Sequence, residues 1–433
     1  MEHSLPNADA HLTAGARAFP DLAEIKLNSP AVAQDAFPIY AALREAGGVL
    51  WSRRHKAWIV SSYDHVRAVL LHPAASVETF APVAARGTPH LKETIDTIGR
   101  VTAHWIPFND PPVHTRLRKA LQRGFMPSSI ASHEPMIRAI TQSVLDRIAD
   151  RPEIEFLDDV AFQIPALVIT ELYNLPRGEV DRIKRWSAGI AELVLGSTNP
   201  DRYETTAGMM REMEEFFRAH IAERAAAIAS GAVSGSESLL DLLLAARNTP
   251  DGLMDDEIAS TLILILFAAP ETTANLILNA MLNLALHPEV LDAIRADPSL
   301  IPGAIEELLR YDGPVPAVVR VAKGDIALGE TTIRSGDRIF LLLKSANRDE
   351  SCVPAADELR LGRGRFQHLG FGTGLHLCIG APLARLEAKV AFEEILKRFH
   401  AFEIRESDIR WRDELLAHSP RSLRIAMYPR AAA

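Results

Sequence analysis

Between Asp255 and about His287 the chain loses its polar face. Apart from Ser260 and Thr261, every residue from Ile258 to Ala269 is apolar. A helix over the whole range spans roughly 50 Å at about 1.5 Å per residue, enough to cross a large domain. One that is apolar nearly all round is buried. Ahead of it, residues 130–250 read as several amphipathic helices, broken at Asn174–Gly178, Gly196–Pro200 and Gly231–Gly235. Stripes of this kind pack a core and say little about chemistry. Nearer the start, residues 1–30 read as a flexible lead-in. A short helix, Ala36–Glu45, follows and stops at Gly47-Gly48. The β-rich runs Val49–Ser52 and Ala57–Ser61 predict a hairpin. Tyr63–Leu71 returns to helical spacing, and residues 74–108 show weak periodicity with several Pro, Gly and His residues. After the long apolar helix the pattern predicts a helix over Pro302–Tyr311. Short strands follow at Val318–Val321, Asp325–Leu328, Thr331–Ile333 and Arg338–Leu343, and a last helix from Ala381 to Phe399.

Composition narrows the class. Hydrophobic content of 48% and charged content of 24% over 433 residues suit a soluble globular protein with a substantial core. A net charge of −9 argues against nucleic acid as the main partner. Met1–Ala18 lacks an apolar stretch of signal-peptide length. The longest apolar run, Leu262–Ala269, is far short of the ~20 residues that cross a bilayer. The expectation is a soluble, cytoplasmic protein with no membrane attachment. With two cysteines, Cys352 and Cys378, there is no disulfide framework. Cys352 lies in a Pro/Asp/Glu-rich loop and receives no role.

The chemistry concentrates in Phe371–Gly380, Phe-Gly-Thr-Gly-Leu-His-Leu-Cys-Ile-Gly. Glycines 372, 374 and 380 let the backbone turn tightly and approach a flat partner closely. Cys378 stands at or just before a helix N-terminus, where free N–H groups and the helix dipole favour a thiolate. A thiolate in such a loop is a ligand for a soft metal. The plain alternative is a buried Cys in a strand-to-helix turn. Elsewhere, Asn109-Asp110-Pro111-Pro112 fits a helix start, and His114 and Arg118, four apart, project from one face. Alone, that pair is a solvated basic face. Ala268-Ala269-Pro270-Glu271-Thr272-Thr273 interrupts the long apolar helix. A proline there removes one N–H bond and opens the groove, and an acid beside a hydroxyl in a buried helix is costly unless used. Glu307-Leu308-Leu309-Arg310 is an i,i+3 ion pair of a kind found on many surfaces.

Phe371, Gly372, Gly374, His376, Cys378 and Gly380 stand at the spacing of the haem-ligand loop of the cytochrome P450 family, which this stretch resembles. The resemblance runs in family order from the hairpin near Trp51 to the tail. It implies the cytochrome P450 fold, mainly α with a minor β region, as a single domain over residues 31–430. It implies haem b (iron protoporphyrin IX) with Cys378 as the metal ligand and Phe371 and Gly372 against the cofactor. His114, Arg118, Arg320 and His376 would hold the haem carboxylates. Glu271 and Thr272 resemble the acid–alcohol pair over the haem, although the usual small pair before them, Ala-Gly or Gly-Gly, is here Ala-Ala, with Pro270 next. Glu307, Arg310 and Arg363 resemble the buried trio that supports the haem loop. The tail Glu414–Met427 resembles a C-terminal hairpin whose turn at His418–Pro420 borders the substrate pocket.

The function implied is a haem-thiolate monooxygenase. It would use O2 and externally supplied electrons to hydroxylate or O-dealkylate a small-to-medium apolar or aromatic substrate. Catalytic roles fall to Glu271 and Thr272. A peroxide-driven or O2-independent haem-thiolate enzyme is the first alternative, and a non-catalytic haem sensor the second. No flavin or iron–sulfur motif is visible, so the electrons would come from a ferredoxin and a ferredoxin reductase, steered by Arg116, Lys119, Arg123 and Arg365. Residues 80–107, 185–200, 262–273, 315–320 and 417–421 would wall the pocket, with Arg86, His90, Arg100, His104 and Arg421 as its polar members.

Overall fold

The computed structural model describes residues 21–430, except 80–91, 195–199, 236–237, 248, 250–251, 365 and 407. The long apolar pattern becomes one helix, Asp255–Leu286, with an acidic first turn of Asp255, Asp256 and Glu257 that complements the helix dipole. It is long and apolar enough to cross a membrane, but 72% of its most apolar window is buried inside the protein. It is a core helix. Around it pack Gln163–Leu172, Val180–Val194, Pro200–Ala229, Ile301–Asp312 and Ala381–Arg398. Tyr173, fully buried, donates its hydroxyl to the Leu262 carbonyl at 2.8 Å, so the one polar atom of that ring is satisfied.

The strands are β1 (Val49–Ser52), β2 (Ala57–Val60), β3 (Ala75–Ser76), β4 (Ile154–Glu155), β5 (Val318–Ala322), β6 (Ile326–Leu328), β7 (Thr331–Ile333), β8 (Arg338–Leu341), β9 (Phe399–Ile404) and β10 (Arg424–Pro429). β1 and β2 form the expected hairpin, with Trp51 opposite Trp58. They join a five-stranded sheet in the order β1-β2-β8-β5-β3. This sheet carries Arg320, paired in register with Ile339. The architecture is mainly α with a smaller β region, in one domain.

Three expectations are corrected. Residues 1–20 of the lead-in lie outside the described residues, but from Asp21 the chain is built in. Asp21 accepts from the Ala23 N–H at 3.0 Å, and the buried Ala23 accepts from Arg54 N–H at 3.2 Å. Within the stretch expected to be irregular lies a helix, Lys92–Thr102, burying Thr97, Ile98, Val101 and Thr102. Three threonines, two isoleucines, a valine and a glycine in eleven residues have low helix propensity, and tertiary packing against Pro200–Ala229 overrides it. The tail does not pair within Glu414–Met427. β10 pairs with β9 and β4, and the turn lies farther out, closed by Arg412 N–H to Ser419 O at 3.0 Å and Arg421 N–H to Arg410 O at 2.7 Å.

That tip is pinned from inside. Asn279 on the central helix donates to the carbonyls of Asp312 and His418, at 3.0 Å each. Asp312 pairs with the buried Lys344. Burial pushes His418 down to about 3, so it sits neutral, stacked on Trp411 with ring centroids 4.2 Å apart.

Candidate active site

Cys378 lies three residues ahead of Ala381, where the helix Ala381–Arg398 begins. Gly372 and Gly374 turn its loop with φ of 69° and 71°, a left-handed backbone that costs any other residue. A Cβ on Gly374 would also come 2.7 Å from Leu71 Cδ2. The Cys378 N–H donates to Phe371 O at 2.9 Å, and the N–H groups of Gly380 and Ala381 donate to its sulfur. Burial pushes the thiol up, and these donors, with Arg118 and Arg385, oppose that without overturning it. Such donors favour a thiolate, and a coordinated cation deprotonates a thiol outright.

Cys378 is exposed within its loop, between the half-buried His376 and Ile379. The central helix shows a similar window. Leu262–Leu266 and Thr273–Leu284 are buried, but Phe267, Ala268, Ala269 and Glu271 keep accessible surface and Thr272 is exposed. Ile379 and Phe371 of the loop pack against the same core as Phe267, Ala268 and Ala269.

The four expected carboxylate-binding residues converge. The rings of His114, on the helix Val113–Gln122, and His376 lie 4.3 Å apart by centroid. Arg320 and Arg118 act electrostatically on the same His376. Both ring nitrogens of His114 and Nδ1 of His376 are buried without a hydrogen-bond partner among the described residues. Arg320, 8% exposed, donates to the Val319 carbonyl at 2.8 Å and makes no ion pair among the described residues. Burial lowers it to about 10. Burial and the neighbouring cations push His376 down to about 4. Arg118 donates to Leu377 O at 2.8 Å, tying its helix to the loop. The nearby carboxylate, Asp110, is already engaged by Ser76 at 2.6 Å and Lys323 at 2.7 Å.

Glu271 and Thr272 part company. Thr272 Oγ1 donates to Ala268 O at 2.6 Å, whereas Glu271 accepts from Arg412 Nη1 at 2.7 Å. Burial raises the Glu271 carboxyl, and Arg412 only partly offsets it. Helical assignment continues through Pro270, yet a proline has no N–H, so the Leu266 carbonyl four residues back has no helical donor.

The supporting trio is built as expected. Arg310 meets Glu307 through two bonds of 2.8 Å, and Arg363 Nε reaches it at 2.7 Å. Arg363 also donates to the carbonyls of Pro354, Ala355 and Glu358, fastening the segment that leads into the loop. A second support escapes the sequence. Glu306 takes Arg385 in a bidentate pair of 2.6 and 2.9 Å and His368 at 3.0 Å, and Arg385 lies over the Phe371 ring at 4.5 Å. The acid next to Glu307, one residue around the helix, was its only signal. Arg412 gave none, because it meets Glu271 across 141 positions of chain.

Several expected polar groups are otherwise engaged. Arg116 pairs with the buried Glu257, so its charge is partly neutralised as a steering group. Arg100 pairs with Glu214 at 2.8 Å, His104 lies 3.8 Å from Glu257 and Arg421 pairs with Asp413. Arg86, His90 and Arg365 lie outside the described residues.

A family model, Cytochrome P450, matches residues 194–425. The chain is 33% identical over 407 residues to cytochrome P450 107B1 of Saccharopolyspora erythraea, covering 89% of this chain and 93% of that protein. It is 31% identical over 390 residues to the cytochrome P450 monooxygenase PikC of Streptomyces venezuelae, covering 89% and 88%. The crystal structure of P450BioI in complex with hexadec-9Z-enoic acid ligated acyl carrier protein matches with a TM-score of 0.83 at 28% identity, covering 92% of this chain and all of that one. Fold and relatives together define a bacterial-type haem-thiolate oxidoreductase. The chain belongs to the cytochrome P450 family of monooxygenases, whose members carry haem b on a cysteine thiolate.

The residues present fit that group. A lone sulfur on a glycine-turned loop suits a metal ligand, and the unpartnered ring nitrogens of His114 and His376, with Arg320, which makes no ion pair among the described residues, suit two carboxylates. Arg320→Ala is expected to lower haem retention, since a charge-assisted hydrogen bond is worth about 1.5–3 kcal/mol. Equal haem occupancy in variant and parent after identical expression would contradict this.

Proposed function

We propose that the protein is an O2-dependent monooxygenase of the cytoplasm, fed by a ferredoxin and a ferredoxin reductase. It would hydroxylate or O-dealkylate a small-to-medium apolar or aromatic substrate. The observation that carries the reading is the pairing of an accessible cysteine just ahead of a helix start with a nest of cationic and donor groups that lack a carboxylate partner among the described residues. Cys378 Sγ would ligate the iron, and His114, Arg118, Arg320 and His376 would orient the haem through its carboxylates. When bound, a haem-thiolate group supplies the cleavage of O2 and the transfer of one oxygen atom to substrate.

The chain's own part is orientation, water exclusion and proton supply. Thr272 has committed its hydroxyl hydrogen to Ala268 O, so Oγ1 acts toward a water as an acceptor only. The Leu266 carbonyl, free of its helical donor, offers a second acceptor. Glu271 would pass a proton to that water. Thr272→Ala should bind substrate and accept electrons but divert NAD(P)H consumption from product to peroxide, since general acid–base help is worth roughly 10²–10⁴ in rate. Product and peroxide counted per NAD(P)H check this. An unchanged ratio would move the role to the Leu266 carbonyl.

A compound library screened for the haem spin-state change identifies the substrate class. Turnover is then measured with ferredoxin, reductase, NAD(P)H and O2 against turnover with peroxide alone. Equal or faster turnover with peroxide would favour the peroxide-driven alternative.

A further inference from the structure

A cleft lies beside the central helix, between it, the helix Val180–Val194, the segment Leu157–Phe162 and the C-terminal tip. Its walls carry Glu271, Asn275, Asp158, Lys184, Arg412 and Glu414. The charges are arranged in depth. Asp158 and Lys184 pair at 2.6 Å with 55% and 43% of their side chains exposed, which places them at the mouth. Arg412 and Glu271 pair at 2.7 Å with only 24% and 14% exposed, which places them inside. Glu414, two residues from Arg412, has its Oε2 buried without a hydrogen-bond partner among the described residues. The remaining charges near Glu414 are Asp413 and Arg421, which pair with each other. One guanidinium thus sits within the field of two carboxyl groups on the wall of one cleft, whose lining also includes the exposed pair Asp158 and Lys184.

We propose that Glu414 and Arg412 form a proton relay that recharges Glu271 from solvent through this cleft. The proposal rests on the reading of Glu271 as the proton donor to the haem side. Glu271 gives its proton to the water held near Thr272 and is left as a carboxylate, which Arg412 steadies. The carboxyl proton of Glu414 passes to Glu271 through water in the cleft they share. Arg412 then turns to the new Glu414 carboxylate, which takes a proton from solvent entering past Asp158 and Lys184. One proton enters at the mouth for each proton delivered, and no electron moves. Burial raises the carboxyls of both Glu271 and Glu414, keeping each closer to the pH at which it can both hold and release a proton. Glu414 and Arg412 act through Glu271 and are positioning residues.

The test uses the haem-loaded enzyme with its electron supply and an identified substrate. Glu414→Gln is expected to slow turnover about 10²-fold, the low end of general acid–base effects, with the substrate-induced spin change intact. It should also raise the solvent deuterium isotope effect and remove the alkaline limb of the pH–rate profile. Groups in series are not additive, so Glu271→Gln combined with Glu414→Gln should be no slower than Glu271→Gln alone. A readout independent of turnover is the infrared carboxyl band of Glu414, which should persist in the parent to higher pH than that of an ordinary glutamate and be missing in Glu414→Gln. Glu414→Asp should restore part of the rate. Additive slowing in the double variant, or Glu414→Gln turning over like the parent while Glu271→Gln is slow, overturns the relay and leaves Glu271 standing. Parent-like turnover in Glu271→Gln overturns the reading of Glu271 itself.

Discussion

Cys378→Ser is expected to abolish monooxygenase turnover and the strongly red-shifted Soret band that a thiolate-ligated haem gives when reduced under carbon monoxide. The sulfur is the softest donor in the loop, and a serine hydroxyl in its place is a far weaker acid and a harder ligand. The contacts made by the sulfur are separate from those that close the loop. Gly380 and Ala381 aim N–H groups at it, while the loop is closed by the main chain, Cys378 N–H to Phe371 O at 2.9 Å. The variant should therefore keep its helical circular dichroism and its soluble yield while losing the spectrum. A retained red-shifted band in Cys378→Ser would refute Cys378 as the ligand.

Glu307→Ala should produce the largest loss of stability of any single change to the supporting network. The substitution removes one partner of a buried pair and leaves Arg310, 2% exposed, with the carbonyls of Asn347, Ala356 and Glu358 alone. Breaking a buried pair in this way costs about 3–5 kcal/mol, which a thermal melt of the haem-loaded protein reads as a drop of several degrees. Haem loss should accompany it, because Arg363 loses the carboxylate that holds the approach to the loop. The pH dependence follows from the same contacts. Burial pushes the Glu307 carboxyl up, but the bonds from Arg310, the Arg360 N–H and Arg363 outweigh it and leave the group below its ordinary value. A carboxyl lowered in the folded state contributes stability that is present above its unfolded value of about 4.3 and is lost as pH falls below that. The parent should lose stability on acidification more steeply than Glu307→Gln. Parallel melting curves for the two from neutral to acid pH would contradict this.

Local chemistry was legible in the sequence wherever neighbours along the chain do the work. The apolar run that became Asp255–Leu286, the β1–β2 hairpin, the glycine loop and the i,i+3 pair of Glu307 and Arg310 each depend on residues a turn or a strand apart. Periodicity and spacing report such contacts directly. His114, Arg118, Arg320 and His376, expected to hold carboxylates through spacing that resembles a family, do converge. The unpartnered nitrogens of the two histidines were not legible, because a missing partner is a property of the assembled cavity.

Only the tertiary structure decided the rest. The helix Lys92–Thr102 forms against its own propensities because Pro200–Ala229 buries one of its faces. β10 pairs with β9 and β4 rather than within the tail, since register across long loops is set by which apolar faces the core accepts. The thiol of Cys378 is raised rather than lowered because enclosure by distant elements outweighs two local N–H donors. Glu271 meets Arg412, Arg116 meets Glu257 and Glu306 meets Arg385 across 141, 141 and 79 positions. Ion pairs at such separations leave no trace in a pattern along the chain. Folding brings the partners together, and where it buries a carboxylate, as with Glu257 and Glu271, that charge then needs its cation.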